Sequence, residues 1–306
     1  MQAVILVAGV SRRLFPLTEF RPKCLMEIGG QTIFDYQMQA LKSVGVRKVC
    51  LVVGYRREQI RAYAETHYPD IEFSYLVNHF FFDTNTAYSL WIAGEEFVDR
   101  NFIYLNGDVL FEPRLLQRVM ESPHGTALAV ECKPCGEEEV KVVVDDEGRI
   151  HEIGKELDPN RCKGEFIGVA RFNATVTSYL FKSLERLKVE GHRNVYFEAA
   201  LADMAAEHPF HMVDVTDLPC VEIDFQELSA NLHNPRTCAH CIAQAAAGEN
   251  SGAVGTNSIG SDGYDQDGHR YAALNATHTT TGSGYAAAPS GASTSVAPLI
   301  SGSKWN

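Results

Sequence analysis

The sequence predicts an α/β fold built on a mostly parallel sheet with helices on both faces, and three observations predict it. Short apolar runs of strand length alternate with amphipathic helical patterns through the first third of the chain, the opening run leads straight into a turn of small residues, and shorter alternating runs crowd the middle. Ala3–Val7, Arg47–Val53, Glu72–Val77 and Phe102–Leu105 read as strands, being rich in Val, Ile, Phe and Tyr. Between them Ile33, Phe34, Met38, Leu41 and Val44 recur at helix spacing with Gly45 as a stop, and Glu58–Tyr68 and Ala87–Phe97 read as further amphipathic helices. Thr126–Cys132, Val140–Asp145, Arg149–Ile153 and Phe166–Phe172 read as strands again, the middle pair joined by the turn-prone Asp146-Glu147-Gly148. The result is a Rossmann-like sheet with an added β-hairpin or meander.

Helical patterns at Thr175–Lys188 and Val195–Glu207, strands at Phe210–Val215 and Cys220–Ile223, and a helix from near Phe225 complete one domain over residues 1–232. Residues 233–306 lose periodicity, and from Ala246 onward they are Gly, Ser, Ala, Thr and Asn with scattered aromatics. Such a segment buries too little apolar surface to offset the entropy of ordering, so it is expected to be a disordered tail or a linker remnant.

Composition narrows the function classes. Hydrophobic residues make up 45% of the 306-residue chain and charged residues 22%, as in ordinary globular proteins. No apolar run nears the ~20 residues that cross a bilayer, which excludes a membrane span. The opening stretch Met1–Ala8 is too short for a signal-peptide core, so a cytoplasmic location is expected. A net charge of -12 argues against nucleic-acid binding. Within this acidic chain, residues 1–23 carry Arg12, Arg13, Arg21 and Lys23 against Glu19 alone. Concentrated cations suit a small polyanion. The eight cysteines have irregular spacing and read as reduced thiols; the C-x-x-C pairs Cys132/Cys135 and Cys238/Cys241 are weak zinc or redox candidates, the second with His233 and His240 nearby. No Ser-His-Asp or Cys-His motif assembles by spacing.

The strongest motif follows the first strand: Ala8-Gly9-Val10-Ser11-Arg12-Arg13-Leu14, then Pro16-Leu17-Thr18, then Arg21-Pro22-Lys23. A turn of small residues exposes backbone N–H groups to phosphates, a role that Gly9 and Ser11 fit. Arg13 and Lys23 reach the same phosphates, one as a bidentate clamp and the other as a point charge. Neither a Walker A loop nor a G-x-G-x-x-G is present. Asn106-Gly107-Asp108 places a carboxylate at the end of a strand, where open α/β sheets bind ligands, and Val221-Glu222-Ile223-Asp224 supplies another. Taken alone, a G-D pair is more often a turn, and Asp224 reads equally as a helix cap before Phe225.

The N-terminal string resembles the signature of nucleotidyltransferases that activate sugar phosphates and small phospho-alcohols, L-x-A-G-x-G-x-R-(L/M) followed by P-K, with Ser11 at the second glycine. Asn78, Thr84-Asn85, Tyr88-Ser89-Leu90-Trp91, Glu152-Ile153-Gly154-Lys155 and Gly164-Glu165-Phe166-Ile167-Gly168-Val169 are similar to the cytidylyltransferases for choline phosphate and for phosphonates such as 2-aminoethylphosphonate. The sugar branch typically has E-K-P near Lys155, and here Gly154 and Glu156 flank that lysine. The resemblance covers about residues 1–232 and implies the nucleotide-diphospho-sugar transferase type of fold. It also implies Mg2+ on Asp108 and Asp224, catalytic roles for Arg13 and Lys23, and nucleotide contacts from Ala8, Gly9, Ser11, Asn78, Thr84 and Asn85.

For the acceptor, Lys141 and Lys155 are candidates to grip a phosphoryl group, though Lys141 reads equally as a solvated strand residue after Glu137-Glu138-Glu139. Glu165, Glu198 and Asp203 suit a cationic amine, and Tyr88, Trp91, Tyr196 and Phe197 suit a cation-binding wall, with Tyr196 beside Glu198 as the leading pair. The expected partners are CTP and a small phosphate or phosphonate, with a homodimer or a fusion to a pathway-partner domain as the quaternary options. Two alternatives stay open: a sugar-1-phosphate nucleotidyltransferase using another NTP, and a non-catalytic nucleotide-binding subunit. The second predicts loss of Arg13, Lys23, Asp108 or Asp224, and all four are present.

Overall fold

The computed structural model describes residues 1–223. The helix expected near Phe225, the boundary at residue 232, the tail, Asp224 and the Cys238/Cys241 pair lie outside the described residues.

The elements run β1 (Gln2–Val7), β2 (Glu27–Ile28), β3 (Gln31–Thr32), α1 (Ile33–Ser43), β4 (Lys48–Val53), α2 (Arg57–His67), β5 (Glu72–Val77), α3 (Thr86–Ile92), α4 (Gly94–Phe97) and β6 (Phe102–Asn106). They continue β7 (Val109–Phe111), α5 (Pro113–Glu121), β8 (Ala127–Glu131), β9 (Lys141–Val144), β10 (Ile150–Gly154), β11 (Gly164–Phe172), α6 (Ala174–Val189), α7 (Glu198–Met204), β12 (His211–Asp214) and β13 (Cys220–Glu222). Among the described residues, nine strands share one sheet, with the path β10-β9-β11-β6-β1-β4-β5 and with β8 and β12 continuing from β11.

The parallel part is the expected one. β1 pairs in parallel with β4 (Ile5 against Leu51) and with β6 (Ile5 against Leu105), and β4 pairs in parallel with β5. Beyond β6 the sheet turns antiparallel at β11, and β9 and β10 form the added hairpin, closed where Asp145 and Arg149 bond across the turn. β1 alternates between two cores because successive strand residues face opposite sides. Ala3, Ile5 and Val7 pack with Phe34, Met38 and Leu115 on one side, while Val4 packs with Leu90, Phe97, Leu180 and Leu201 on the other. Helices therefore cover both faces of the sheet.

Three local details depart from the sequence reading. The helix expected over Ala87–Phe97 divides into α3 and α4, with Ala93 as the cap between them. β7, only three residues long, and α5 fall in a stretch with no predicted element. α5 starts with Pro113 at its first turn, where a missing N–H costs nothing, and buries Leu115, Leu116 and Val119. No described helix is long and apolar enough to cross a membrane.

Candidate active site

The ends of β1 and β6 open into a cleft of about 960 Å³. Its lining brings together Ala8, Gly9, Ser11, Arg13, Lys23, Asn78, Thr84, Asn85, Asp108, Lys155, Glu165, Tyr196 and Glu198. Of the candidate residues within the described range, Lys141, Tyr88, Trp91, Phe197 and Asp203 are missing from that lining.

The N-terminal loop is shaped by its own sequence. Ser11 adopts a left-handed backbone (φ 53°, ψ 51°), a conformation that glycine takes without a Cβ penalty. Its carbonyl is held by the Leu14 amide (3.0 Å) and by the buried Thr18 hydroxyl (2.9 Å). A Cβ built on Gly9 would meet no protein atom within 4 Å, so the protein's own packing does not demand glycine there. The space in front of Gly9 is cleft.

Asp108 sits in the turn between β6 and β7, and its Oδ2 accepts from Lys23 Nζ at 2.9 Å. Two features fix that turn. Gly107 donates its N–H to the Leu6 carbonyl (3.1 Å), and a Cβ there would come within 2.5 Å of the same oxygen. Gln37, fully buried on α1, donates Nε2 to the carbonyls of Asn106 (2.7 Å) and Val109 (2.9 Å), straddling Gly107 and Asp108. The Asp108 carbonyl in turn accepts from the Ile223 amide at 2.9 Å. Sequence reasoning overlooked Gln37; its signal was a polar residue one turn from both Ile33 and Leu41 on the apolar stripe of α1.

Asn78, Thr84 and Asn85 line the cleft while building a loop. Asn78 donates Nδ2 to Thr84 Oγ1 (2.9 Å) and Ser89 Oγ (3.1 Å) and accepts from the Phe80 amide (2.9 Å). Asn85 caps α3 by accepting from the Thr86 amide (2.8 Å).

The far end of the cleft comes from the second half of the chain. Lys133 Nζ lies 2.8 Å from Glu131 Oε2 and 2.7 Å from Glu165 Oε2. These carboxylates hold the ammonium of Lys133 charged despite its burial, while burial pushes the Glu165 carboxyl up against the pull of Lys133. Lys155 stands 4.6 Å from the centre of the Tyr196 ring and 3.6 Å from Glu138 Oε2. Glu198, the first residue of α7, is 5% exposed, and burial pushes its carboxyl up to about 7 even though its own backbone amide and Lys155 favour the charged form.

Four expectations are corrected. Lys141 is 1% exposed and donates to the carbonyls of Glu137 (3.3 Å), Glu139 (3.2 Å) and Lys155 (2.5 Å), so it ties the hairpin together instead of gripping an acceptor. Lys133, masked in sequence by the C-x-x-C pair around it, occupies the cleft. Tyr88 and Trp91 pack on each other away from the cleft, with Trp91 bonded to Glu185 under Lys188. Asp203 pairs with Ser183 and Arg186 on the surface of the α6–α7 pair, and Phe197 is a core ring against Tyr104. Cys132 and Cys135 are free thiols, and no group of three or more His, Cys, Asp or Glu among the described residues could hold a metal on its own.

Comparison with known proteins follows this geometry. A CMP-5'-(3-aminopropyl)phosphonate synthase from Streptomyces rubellomurinus is 31% identical over 73% of this chain, which spans only 37% of that protein's length. A CTP:phosphoglutamine cytidylyltransferase from Campylobacter jejuni is 27% identical over 61% of this chain and 79% of its own. The solved structure of a CTP:phosphocholine cytidylyltransferase from Streptococcus pneumoniae superposes with a TM-score of 0.60 at 23% identity, covering 74% of this chain and 94% of that one, which shows the shared fold. The nucleotidyl transferase family profile matches residues 2–153, the span carrying the N-terminal loop, Lys23 and Asp108. The chain belongs to the nucleotidyl transferase family.

Proposed function

We propose that this chain transfers CMP from CTP to a small phosphate or phosphonate acceptor, such as 2-aminoethylphosphonate, phosphocholine or a similar molecule, releasing pyrophosphate with Mg2+ as its cofactor in the cytoplasm. The observation that carries the reading is a single cleft with Arg13, Lys23 and Asp108 among its lining and with Lys155 and Glu198 among the rest. Relatives named for CMP and CTP support the choice of nucleotide. The length of the Streptomyces relative is in keeping with a fusion to a partner domain.

The reaction is attack of an acceptor oxygen on the α-phosphorus of CTP. That oxygen is already anionic near neutral pH, so positioning and charge neutralisation supply the catalysis. Backbone N–H groups of the loop from Ala8 to Ser11 would cradle phosphates, and Arg13 would clamp the departing β- and γ-phosphates as a planar fork. Lys23 would turn from Asp108 to the α-phosphate as the nucleotide enters.

The donor set suits Mg2+, which takes one or two carboxylates and draws its remaining ligands from phosphate oxygens and water. Asp108 provides a carboxylate in the cleft, and Asp224 follows Ile223 directly in sequence. When bound there, the ion supplies positive charge to the phosphate under attack. Lys155 and Lys133 would face the acceptor's phosphoryl group, and Glu198 with Tyr196 its other end.

Pyrophosphate release with CTP, UTP, ATP and GTP, each paired with 2-aminoethylphosphonate, phosphocholine and glucose-1-phosphate, tests the reading, with Asp108→Asn as the blank. CTP-specific turnover with either amino-alcohol-like acceptor supports it. Turnover with glucose-1-phosphate alone moves the chain to the sugar branch.

A further inference from the structure

We infer that Glu198 selects acceptors ending in a primary ammonium over those ending in a trimethylammonium. The inference rests on the reading of the cleft as a site of CMP transfer and narrows its acceptor class.

Two independent observations carry it. Glu198 lines the cleft at 5% exposure, and its Oε2 has no hydrogen-bond partner among the described residues. A buried carboxylate oxygen without a donor is unfavourable, so the site is completed by a ligand bringing an N–H. A primary ammonium brings three, and a trimethylammonium brings none.

Aromatic faces recognise quaternary ammonium groups. Among the rings lining the cleft, Tyr196 is the exposed one at 41%, whereas Phe166 is buried and Phe81 is half-buried. The ammonium of Lys155 already stands over the Tyr196 ring at 4.6 Å. A cation thus already stands on a face of that ring, while the buried oxygen that suits a primary ammonium has no donor among the described residues.

The groups facing Glu198 set the pH response. From the end of β10 comes Lys155, which also approaches Glu138; from β6 comes Tyr104, whose hydroxyl is engaged by Asn106 Oδ1 at 2.6 Å; from α7 comes the backbone amide of Glu198 itself. Burial outweighs the two favourable influences and leaves the carboxyl near 7. An ammonium partner favours the ionised form, so its binding below that pH releases a proton, and its affinity rises with pH and levels off once the carboxylate is ionised.

The test compares three acceptors that share a phosphoryl end: 2-aminoethyl phosphate, choline phosphate and ethyl phosphate. Their kcat/KM values with CTP are measured between about pH 6 and 8.5 for the wild type and Glu198→Gln. Folding of the variant is confirmed by circular dichroism, and Glu198→Ala serves as a second variant. Aminoethyl phosphate is expected to exceed choline phosphate by about tenfold or more, the scale of one good hydrogen bond to a charged group. Glu198→Gln should collapse that ratio and its pH dependence, with ethyl phosphate, which brings no ammonium, as the reference acceptor in both proteins. Equal use of choline phosphate, or an amine preference that survives Glu198→Gln, overturns the inference and leaves CMP transfer standing. Should no acceptor turn over, CMP transfer fails by itself, and calorimetric affinities of the three acceptors decide the question for Glu198: an aminoethyl preference with proton release supports it, and equal affinities overturn it.

Discussion

Lys23 Nζ and Asp108 Oδ2 lie 2.9 Å apart, joining the cation of the N-terminal loop to the carboxylate at the end of β6 across 85 residues of sequence. The pair is mostly shielded on the lysine side, at 12% side-chain exposure against 29% for the aspartate. On the proposed reading, an incoming phosphate would draw Lys23 away and leave Asp108 to a divalent ion, so metal and nucleotide would bind with positive coupling. Lys23→Met is expected to lower kcat by about 100-fold to 1000-fold. The same variant should bind Mn2+ more tightly than wild type without nucleotide, as read by electron paramagnetic resonance.

Gln37 holds the Asp108 turn without lining the cleft. Gln37→Leu removes both straddling bonds and leaves the Asn106 and Val109 carbonyls short of a donor. The expected cost is about 1–3 kcal/mol in urea unfolding, together with a fall in kcat that exceeds any change in the KM for nucleotide. A stability loss with kcat unchanged would mean that the turn keeps its shape without this glutamine.

Glu198 makes stability depend on pH. Its folded pKa of about 7 lies above the ordinary 4.5, so the unfolded chain ionises first as pH rises. Its contribution to stability is fully present below about pH 4.5 and is lost between there and pH 7, by about 3 kcal/mol. Glu198→Gln, which cannot ionise, should gain on the wild type across that window. Parallel denaturant curves at about pH 5 and pH 8 measure the difference, and equal stability changes at the two values would count against a raised carboxyl.

Lys141 is a structural cation. Lys141→Met should destabilise the chain by about 2 kcal/mol, since backbone carbonyls from three residues lose their shared donor. Thermal unfolding gives the shift. Any rise in acceptor KM should track loosening of Lys155, whose carbonyl is one of the three, and should be as large for a neutral acceptor as for a cationic one.

Ser11 carries a left-handed backbone at the position of a signature glycine. Ser11→Gly should raise stability by about 0.5–1 kcal/mol with nucleotide affinity retained. A loss of affinity would show that the hydroxyl itself touches the nucleotide.

Most of the architecture was legible because its pattern is local. The alternation in β1 and the stripe of Ile33, Phe34, Met38 and Leu41 follow from strand and helix periods alone. β7 escaped because three residues after a tight turn carry no period, and α5 because its signal was one proline and three apolar residues. One end of the cleft was readable in part as a contiguous string, from Ala8 to Lys23. The far end was not, since its residues come from separate elements and sequence does not say which lysine faces the cleft. Lys141 and Lys133 are both flanked by acids and apolar residues, and only the pairing of β9 with β10 and β11 turns one inward to backbone carbonyls. Tyr88 and Trp91 read as a wall because they share a helix face, but that face packs toward α6 and its Glu185 and Lys188.

The switch of the sheet from parallel to antiparallel beside β6 also divides the cleft by order of synthesis. Ala8, Gly9, Ser11, Arg13, Lys23, Asn78 and Asp108 all precede β7, while Glu131, Lys133, Lys155, Glu165, Tyr196 and Glu198 all follow it, and β11 and β13 return to the first group by pairing with β6 and β7. A single recombination joint after Phe111 would therefore exchange one set of cleft residues for a relative's while keeping the other intact. The fold offers evolution a seam along which one end of the cleft can be varied while the loop carrying Arg13 and Lys23 is kept.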